Sequence, residues 1–390
     1  MTAATMERPT SVAGSALMES ARRLVPLLRE HAYTIEDTRR LTPAVHAAFI
    51  EAGFYRVTMP AEFGAPARSL AECMRTLEIL ATGDGSAAWS AWAGLGVPAM
   101  SAFIPEAGAG EMFTAPDACA VGSMAGMGRA VAVEGGYRVT GRWRFVSGIH
   151  QATFAGGMCF VFDGDSQRMG ANGPVVILAA WPVAQCSIAD TWDTTGLRGT
   201  GSDDMMVEDL FVPAHRIADF TQPPRPGLSP FHYMRPDNGA NVTVAAIAVG
   251  IATAGLEVFR ALAPKRTLGN GEILAKSALG KLALAEAESV LAEARGRLYE
   301  TAELMDEELT TGAYNDETWL PRTHVASVRA VDAAIAATSR LYREAGTSAI
   351  FRSNALDRCL RDLFTLGAHK SVQHANLLIY GGSTFSPPRV

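Results

Sequence analysis

Residues 141–149 read GRWRFVSGI, and the chain around them is punctuated by glycine and patterned like strand. Just upstream, VAVEGGYRVTG places Val131, Val133, Tyr137 and Val139 in alternation about Gly135-Gly136, a two-residue hairpin signal. Gly122-Ser123 precedes it, and DTTGLRGTGSDDMMVEDLFVP follows it up to Pro213. Further strands are expected over 152–162, 175–181 and 205–212. Strands so closely spaced, with glycine-rich turns between them, predict a small antiparallel barrel or sandwich. This block interrupts two long helical segments. Such an insertion suggests a ligand clamped between a small β domain and a helical bundle.

The flanks carry helix punctuation. Thr42 before Pro43 is a cap followed by a first-turn proline, and Gly53 is a stop. Ser69-Leu70-Ala71-Glu72 matches a capping box that opens an apolar-periodic run. Pro105 predicts a short helix ending near Asp117. Beyond the proline-rich link at 221–229 the pattern is helical to the end. Ile273, Leu279, Leu282, Leu284, Val290, Leu291 and Leu298 recur at helical intervals, predicting one helix over 272–309. Two more are expected around 323–345 and 354–380, and helices of this length suit a four-helix bundle. The expected fold class is α+β: an N-terminal helical domain over 1–118, a middle antiparallel β domain over 119–225 and a C-terminal four-helix bundle over 226–390.

Bulk properties exclude several functions. The 390 residues carry a formal charge of −6 with a pI near 5.8, and the basic residues are scattered, so no nucleic-acid footprint exists. No uninterrupted apolar run reaches the roughly 20 residues of a membrane span, so no membrane association is expected. The N-terminal MTAATMERPTSVAGS lacks the charged and apolar regions of a secretion signal. Cys73, Cys119, Cys159, Cys186 and Cys359 are far apart with no CxxC spacing, which indicates neither a zinc site nor a disulfide framework. Reduced thiols fit a cytoplasmic location.

Most catalytic motifs fail. Gly126-Met127-Gly128 begins like a dinucleotide fingerprint but leads into a hairpin instead of a helix, and no GxxxxGK[ST] or GxSxG is present. His369 and His374 are five apart, roughly 140° around a helix, so no metal site is expected. What remains is a planar-cofactor site. Ser147-Gly148 ends a strand bearing Trp143 and Phe145, bringing together a hydroxyl, free backbone amides and aromatic faces. A flavin ring needs hydrogen bonds at its edge and apolar cover on its face. The same residues, taken alone, fit β-domain core and turn at least as well.

Four motifs carry a resemblance that tilts this balance: GDGSAAW (83–89), GGYRVTGRWRFVSG (135–148), DTWDTTGLRGTGSDDMMVEDLFVP (190–213) and RDLFTLGAH (361–369). Over nearly its whole length the chain resembles the acyl-CoA dehydrogenase superfamily. It looks most like the branch of flavin-dependent monooxygenases that hydroxylate aromatic or nitrogen-containing substrates. The resemblance implies the three-part architecture above, assembled as a homotetramer, with flavin between the β domain and the bundle and often touched by a neighbouring subunit. It implies reduced flavin, FMNH2 in preference to FADH2, supplied by a separate reductase. Reaction with O2 would give a C4a-hydroperoxide whose distal oxygen passes to a small aromatic, heteroaromatic or amino-bearing metabolite.

Residue roles follow from the same resemblance. Ser147 matches the serine whose hydroxyl approaches flavin N5, and Ser123 matches a position near the ring or substrate. Trp143, Phe145 and Gly148 complete the expected flavin wall, while Arg266, beside Lys265, matches a basic residue that meets the flavin phosphate. His369 matches a histidine beside the ring, where an imidazole titrating near neutrality handles protons. Arg361 and Asp362 are expected to form a structural ion pair, Arg198 to be structural, and His374 to serve packing or an interface. Two departures stand out. Val97 occupies a position where the branch often carries a substrate-contacting histidine. Ile149-His150-Gln151-Ala152 replaces the usual Asp-His order, leaving His150 as a candidate acid/base group on the opposite wall. An acyl-CoA or acyl-carrier dehydrogenase is the alternative, but it needs a carboxylate where His369 and Lys370 stand. A non-oxidative relative on the same scaffold is a third reading.

Overall fold

Capping side chains start the N-terminal helices where the sequence places them. In the computed structural model, which describes residues 15–65, 68–171, 173–226, 228 and 230–385, six helices come first: α1 (Ala16–Thr38), α2 (Pro43–Glu51), α3 (Leu70–Gly83), α4 (Gly85–Ala93), α5 (Gly96–Ala99) and α6 (Glu106–Phe113). Thr42 accepts a hydrogen bond from the Val45 amide and Ser69 one from the Glu72 amide, satisfying helix-start donors that have no partner within the helix. Asp84 ends α3 and caps α4 by accepting from the Ala87 amide at 2.8 Å. Helix α6 stops at Phe113, a few residues short of the expected Asp117. The N-terminal stretch inspected for a secretion signal lies outside the described residues up to residue 14, as do positions 227 and 229 of the proline-rich link.

Among the described residues ten strands follow: β1 (Ala120–Val133), β2 (Gly136–Trp143), β3 (Phe154–Asp163), β4 (Ser166–Gln167), β5 (Met169–Gly170), β6 (Gly173–Pro174), β7 (Val176–Pro182), β8 (Ser187–Ala189), β9 (Asp204–Pro213) and β10 (Ile217–Asp219). The main sheet has the order β10-β7-β3-β1-β2-β9-β8, with β4 pairing β3. The Gly135-Gly136 hairpin joins β1 to β2 as expected. One pairing corrects the antiparallel expectation. β1 and β3 run parallel, Ala120 opposite Phe154, so the sheet is mixed. Parallel neighbours cannot be joined by a tight hairpin. Residues 144–153 instead cross over β1 and deliver β3 to its far side. That crossover carries Phe145, Ser147, Gly148 and His150.

Trp143, at the end of β2, turns the other way. It is fully buried against Trp181, with ring centroids 5.2 Å apart, and its indole N–H donates to the Met158 carbonyl at 2.8 Å. Gly157 makes the slot, because a Cβ there would lie 2.3 Å from the indole. The expectation that Trp143 covers a flavin is therefore corrected: strand alternation sends it into the sheet core.

The remaining helices are α7 (Pro236–Leu262), α8 (Ala278–Thr311), α9 (Asp316–Ala345), α10 (Ala355–Gly367) and α11 (Leu377–Phe385). Helix α7 is the axis of the bundle, packed by α3, α8, α9 and α10. By length and mean composition it matches a membrane span, but polar residues such as Asn241 and Glu257 interrupt its apolar run and most of it is buried inside this fold. Its apolar surface faces protein along most of its length. Helix α8 starts at the Ser277 cap, later than expected, because 3-10 turns and the glycines at 269 and 271 fill the preceding loop. The expected helix over 354–380 breaks after Gly367, where His369 caps a 3-10 turn. One apolar cluster runs from the N-terminal helices through the sheet into the bundle.

Candidate functional site

The crossover is held in an uncommon backbone. Phe145 sits at φ +60°, a left-handed conformation that costs a bulky residue energy and that clusters at functional sites. The Ser123 hydroxyl donates to the Arg144 carbonyl at 2.6 Å and accepts from the Ala125 amide, fixing the start of the turn. The backbone amides are spent internally: Val146 on the Asp203 carbonyl, Ser147 on Phe145 and Gly148 on Thr200. Gly148, at φ +75°, thus serves the turn, and the expectation of free amides for a ligand is corrected. Ser123 likewise positions the crossover, its proton already committed.

Ser147 is the meeting point of three chain segments. Trp89 of α4 donates its indole N–H to the Ser147 hydroxyl at 2.9 Å. Ser147 and Ser202 hydroxyls lie 2.7 Å apart, Ser202 and Thr200 hydroxyls 2.7 Å apart, and Thr200 donates to the Leu197 carbonyl at 2.9 Å. Motif GDGSAAW was legible in the sequence. The role of its last residue, Trp89, was not.

Beside this relay opens a cleft of about 320 Å³, inside the range of about 300–1,000 Å³ typical of small-molecule sites. Phe145, Trp192, Arg142, Arg144, Ser202 and Asp204 line it. Phe145 is half exposed and meets Trp192 edge-to-face at 6.2 Å, while the Arg144 guanidinium stands 4.7 Å from the Phe145 ring centroid. Arg142 is bonded to Asp204 at 2.8 Å. Aromatic surface, guanidinium groups and the Ser202 hydroxyl suit a planar ligand with a hydrogen-bonding edge and an anionic tail.

His369 stands at the other end of Trp89. Its ring is edge-to-face with Trp89 at 5.3 Å and with Trp92 at 5.7 Å. Burial, helped by neighbouring Lys370, pulls its imidazole down to about 4. It is therefore neutral at pH 7, which corrects the expectation of titration near neutrality. Nδ1 accepts from the Ser371 amide at 3.3 Å, assigning the remaining proton to Nε2 as a donor. Trp92 donates to Thr243 of α7 at 2.9 Å, and Asn241 of α7 meets His324 at 3.2 Å, so a polar seam lines this face of the bundle. Val97 is buried in a separate cluster with Met100, Met112, Phe113 and Leu178.

The other expected residues are placed elsewhere. His150 bonds Asp203 at 2.6 Å, packs over Gly201 and is not among the cleft-lining residues. It braces the 190–203 loop, correcting its expected acid/base role. Asp203 also accepts from the Thr191 and Trp192 amides at 2.8 Å each. Desolvation pushes its carboxyl up, yet these bonds outweigh it and hold the group below the ordinary range. Arg266 bonds Ser348 at 3.1 Å and lies against Gly346, so within one chain it contacts the bundle and not the cleft. Arg361 and Asp362 do not pair with each other, because consecutive helical residues diverge. Arg361 binds Glu36 and Asp357, each at 2.7 Å, while Asp362 accepts the Leu197 amide at 2.6 Å. Arg198 is structural as expected, tied to Asp193 and to the Thr194 carbonyl, and His374 pairs with Asp332 on the surface. Among the described residues no group of three or more His, Cys, Asp or Glu side chains is placed to hold a metal.

Known proteins match this arrangement along most of the chain. Residues 242–374 match the family described as "Acyl-CoA dehydrogenase, C-terminal domain". Indole-3-acetate monooxygenase of Pseudomonas putida is 30% identical over 88% of this chain and 88% of that one. The "Flavin-dependent monooxygenase, oxygenase subunit HsaA" of Rhodococcus jostii is 29% identical over 94% of this chain and 97% of that one. Among solved structures, XiaF from Streptomyces sp., in complex with FADH2 and glycerol, superposes with a TM-score of 0.87 at 24% identity, covering 96% of each chain.

Proposed function

We infer that this chain, which belongs to the flavin-dependent monooxygenase branch of the acyl-CoA dehydrogenase superfamily, is the oxygenase component of a two-component system. A separate reductase delivers its reduced flavin, and a small molecule is its substrate. When bound, reduced flavin supplies the activation of O2 and carries one oxygen atom to the substrate. The observation that carries the reading is the Ser147 hydroxyl, anchored by Trp89 and bonded to Ser202, which lines the cleft beside Phe145.

In this reading Phe145 and Trp192 cover the flavin ring, Ser147 meets its N5 edge, and the Arg142 and Arg144 guanidinium groups lie within reach of its anionic tail. Arg266, whose Nε–H finds no acceptor among the described residues, serves the phosphate of a neighbouring subunit's flavin. His369 supplies a neutral Nε2–H that orients substrate without storing charge. The tryptophans at 89 and 92 and the apolar Val97 favour an aromatic or heteroaromatic substrate over one anchored by ionic contact at position 97. FMNH2 is the proposed form, and titration against FADH2 decides between them.

A homotetramer is proposed as the assembly. Leu279 and Leu282 on α8 and Leu378, Ile379 and Phe385 on α11 present apolar side chains to solvent in the single chain, as a surface awaiting other copies would. Light scattering on the purified protein tests it. The free thiols suit a reducing compartment.

The functional test is anaerobic mixing with FMNH2, then O2, followed by stopped-flow absorbance. A transient species distinct from both reduced and oxidised flavin is expected. No flavin binding in either redox state would overturn the reading.

A further inference from the structure

We propose that Thr200, a buried residue that is not part of the cleft lining, sets which redox form of flavin the site prefers. This rests on the reading of Ser147 as the partner of flavin N5. The argument is one of proton counting. A backbone carbonyl only accepts, so the 2.9 Å contact from Thr200 to the Leu197 carbonyl consumes the single Thr200 hydroxyl proton. The 2.7 Å contact between Thr200 and Ser202 must then use the Ser202 proton. The 2.7 Å contact between Ser202 and Ser147 must in turn use the Ser147 proton. Trp89 occupies one Ser147 lone pair from its indole N–H. One lone pair is all that Ser147 has left to offer.

A lone pair suits a donor. Reduced flavin carries a proton on N5 and donates there, whereas oxidised flavin has a bare N5 that accepts. To serve oxidised flavin the whole relay must reverse, and the Thr200 bond to the Leu197 carbonyl is lost. That carbonyl keeps the Trp192 indole at 2.9 Å, so the penalty is about one net hydrogen bond, or about tenfold in affinity. For a two-electron couple, tenfold tighter binding of the reduced form raises the bound potential by about 30 mV.

The experiment measures dissociation constants of FMN and FAD, each oxidised and anaerobically reduced, for the full chain and its variants. Thr200→Val removes the terminal donor while keeping shape. The preference for reduced flavin is expected to narrow by about tenfold, mainly through tighter binding of the oxidised form. Thr200→Ser, which keeps the hydroxyl, is expected to restore it. Ser202→Ala, which frees the Ser147 proton directly, is expected to narrow the preference as well and decides the matter if Thr200→Val does not fold. An unchanged preference in a folded Thr200→Val or Ser202→Ala protein overturns the proposal. If Ser147→Ala binds both redox forms as the parent does, the placement of flavin at Ser147 is what fails, and the proposal with it.

Discussion

The indole N–H of Trp89 donates to the Ser147 hydroxyl at 2.9 Å, tying helix α4 to the crossover between β2 and β3. The same indole touches the His369 ring, so one side chain sets the spacing between the sheet and the bundle at the site. Trp89→Phe keeps an aromatic ring but removes the donor and part of the buried indole, with an expected loss of about 1–3 kcal/mol in stability. Ser147→Ala strands the buried indole N–H and is expected to cost about 1–3 kcal/mol. Urea denaturation of both single variants and the double variant measures the coupling. An additive double variant would show that the bond contributes nothing.

Trp143 and Phe145 are two residues apart and are expected to behave oppositely. Trp143→Ala opens a cavity in the sheet core beside Trp181 and is expected to cost about 3–5 kcal/mol. Phe145→Ala removes a half-exposed ring with little core cost, so stability should move by under about 1 kcal/mol while flavin affinity falls. Thermal melts with and without FMN separate the two outcomes.

His369 gives a pH signature with a definite sign. Its imidazole lies at about 4 in the folded protein against 6.5 for the free group, so the unfolded chain binds more protons in that interval. Its contribution is fully present above pH 6.5 and is lost as pH falls toward 4, by at most about 3 kcal/mol. His369→Gln is expected to flatten this part of the stability profile. Equal slopes for both proteins between pH 6.5 and 4 would refute the assignment.

Asp362 has the opposite sign. Desolvation, then the charge of Asp84, pushes its carboxyl up to about 7 despite the Leu197 amide and two nearby arginines. The folded state therefore holds a proton that the unfolded chain releases near 3.8, and this contribution fades as pH rises through 7. Asp362→Asn keeps an acceptor for Leu197 and should remove that pH dependence. Asp362→Ala strands the amide and is expected to cost about 1–3 kcal/mol more than Asn.

His150 is expected to matter for folding more than for chemistry. His150→Ala leaves the largely buried Asp203 with only its backbone donors and loosens the 190–203 loop, at a cost of about 1–3 kcal/mol. Oxygen transfer per bound flavin should survive, measured by single-turnover product yield at low temperature.

Much of this was written locally in the chain. Thr42-Pro43, Ser69 with Glu72, and Gly135-Gly136 fix helix starts and a hairpin through bonds between residues at most a few positions apart. Strand alternation over β2, β3, β7 and β9 was legible for the same reason. Where the pattern misled, a distant neighbour intervened. Trp143 looked like ligand wall until Gly157 and Trp181 made a slot for it, and His150 looked like a free acid/base group until Asp203 took its Nε2.

The sequence by itself determined the order of helices and strands, the family and the chemical identity of the groups at the site, because those depend on side chains and on near neighbours. Only the tertiary structure decided what those groups do. The partners of the Ser147 hydroxyl come from 58 residues upstream and 55 downstream, and the indole set edge-to-face with His369 comes from helix α4. Hydrogen-bond direction and burial are properties of such assemblies. They turn one serine into an acceptor and one histidine into a neutral donor, and no residue carries either property alone.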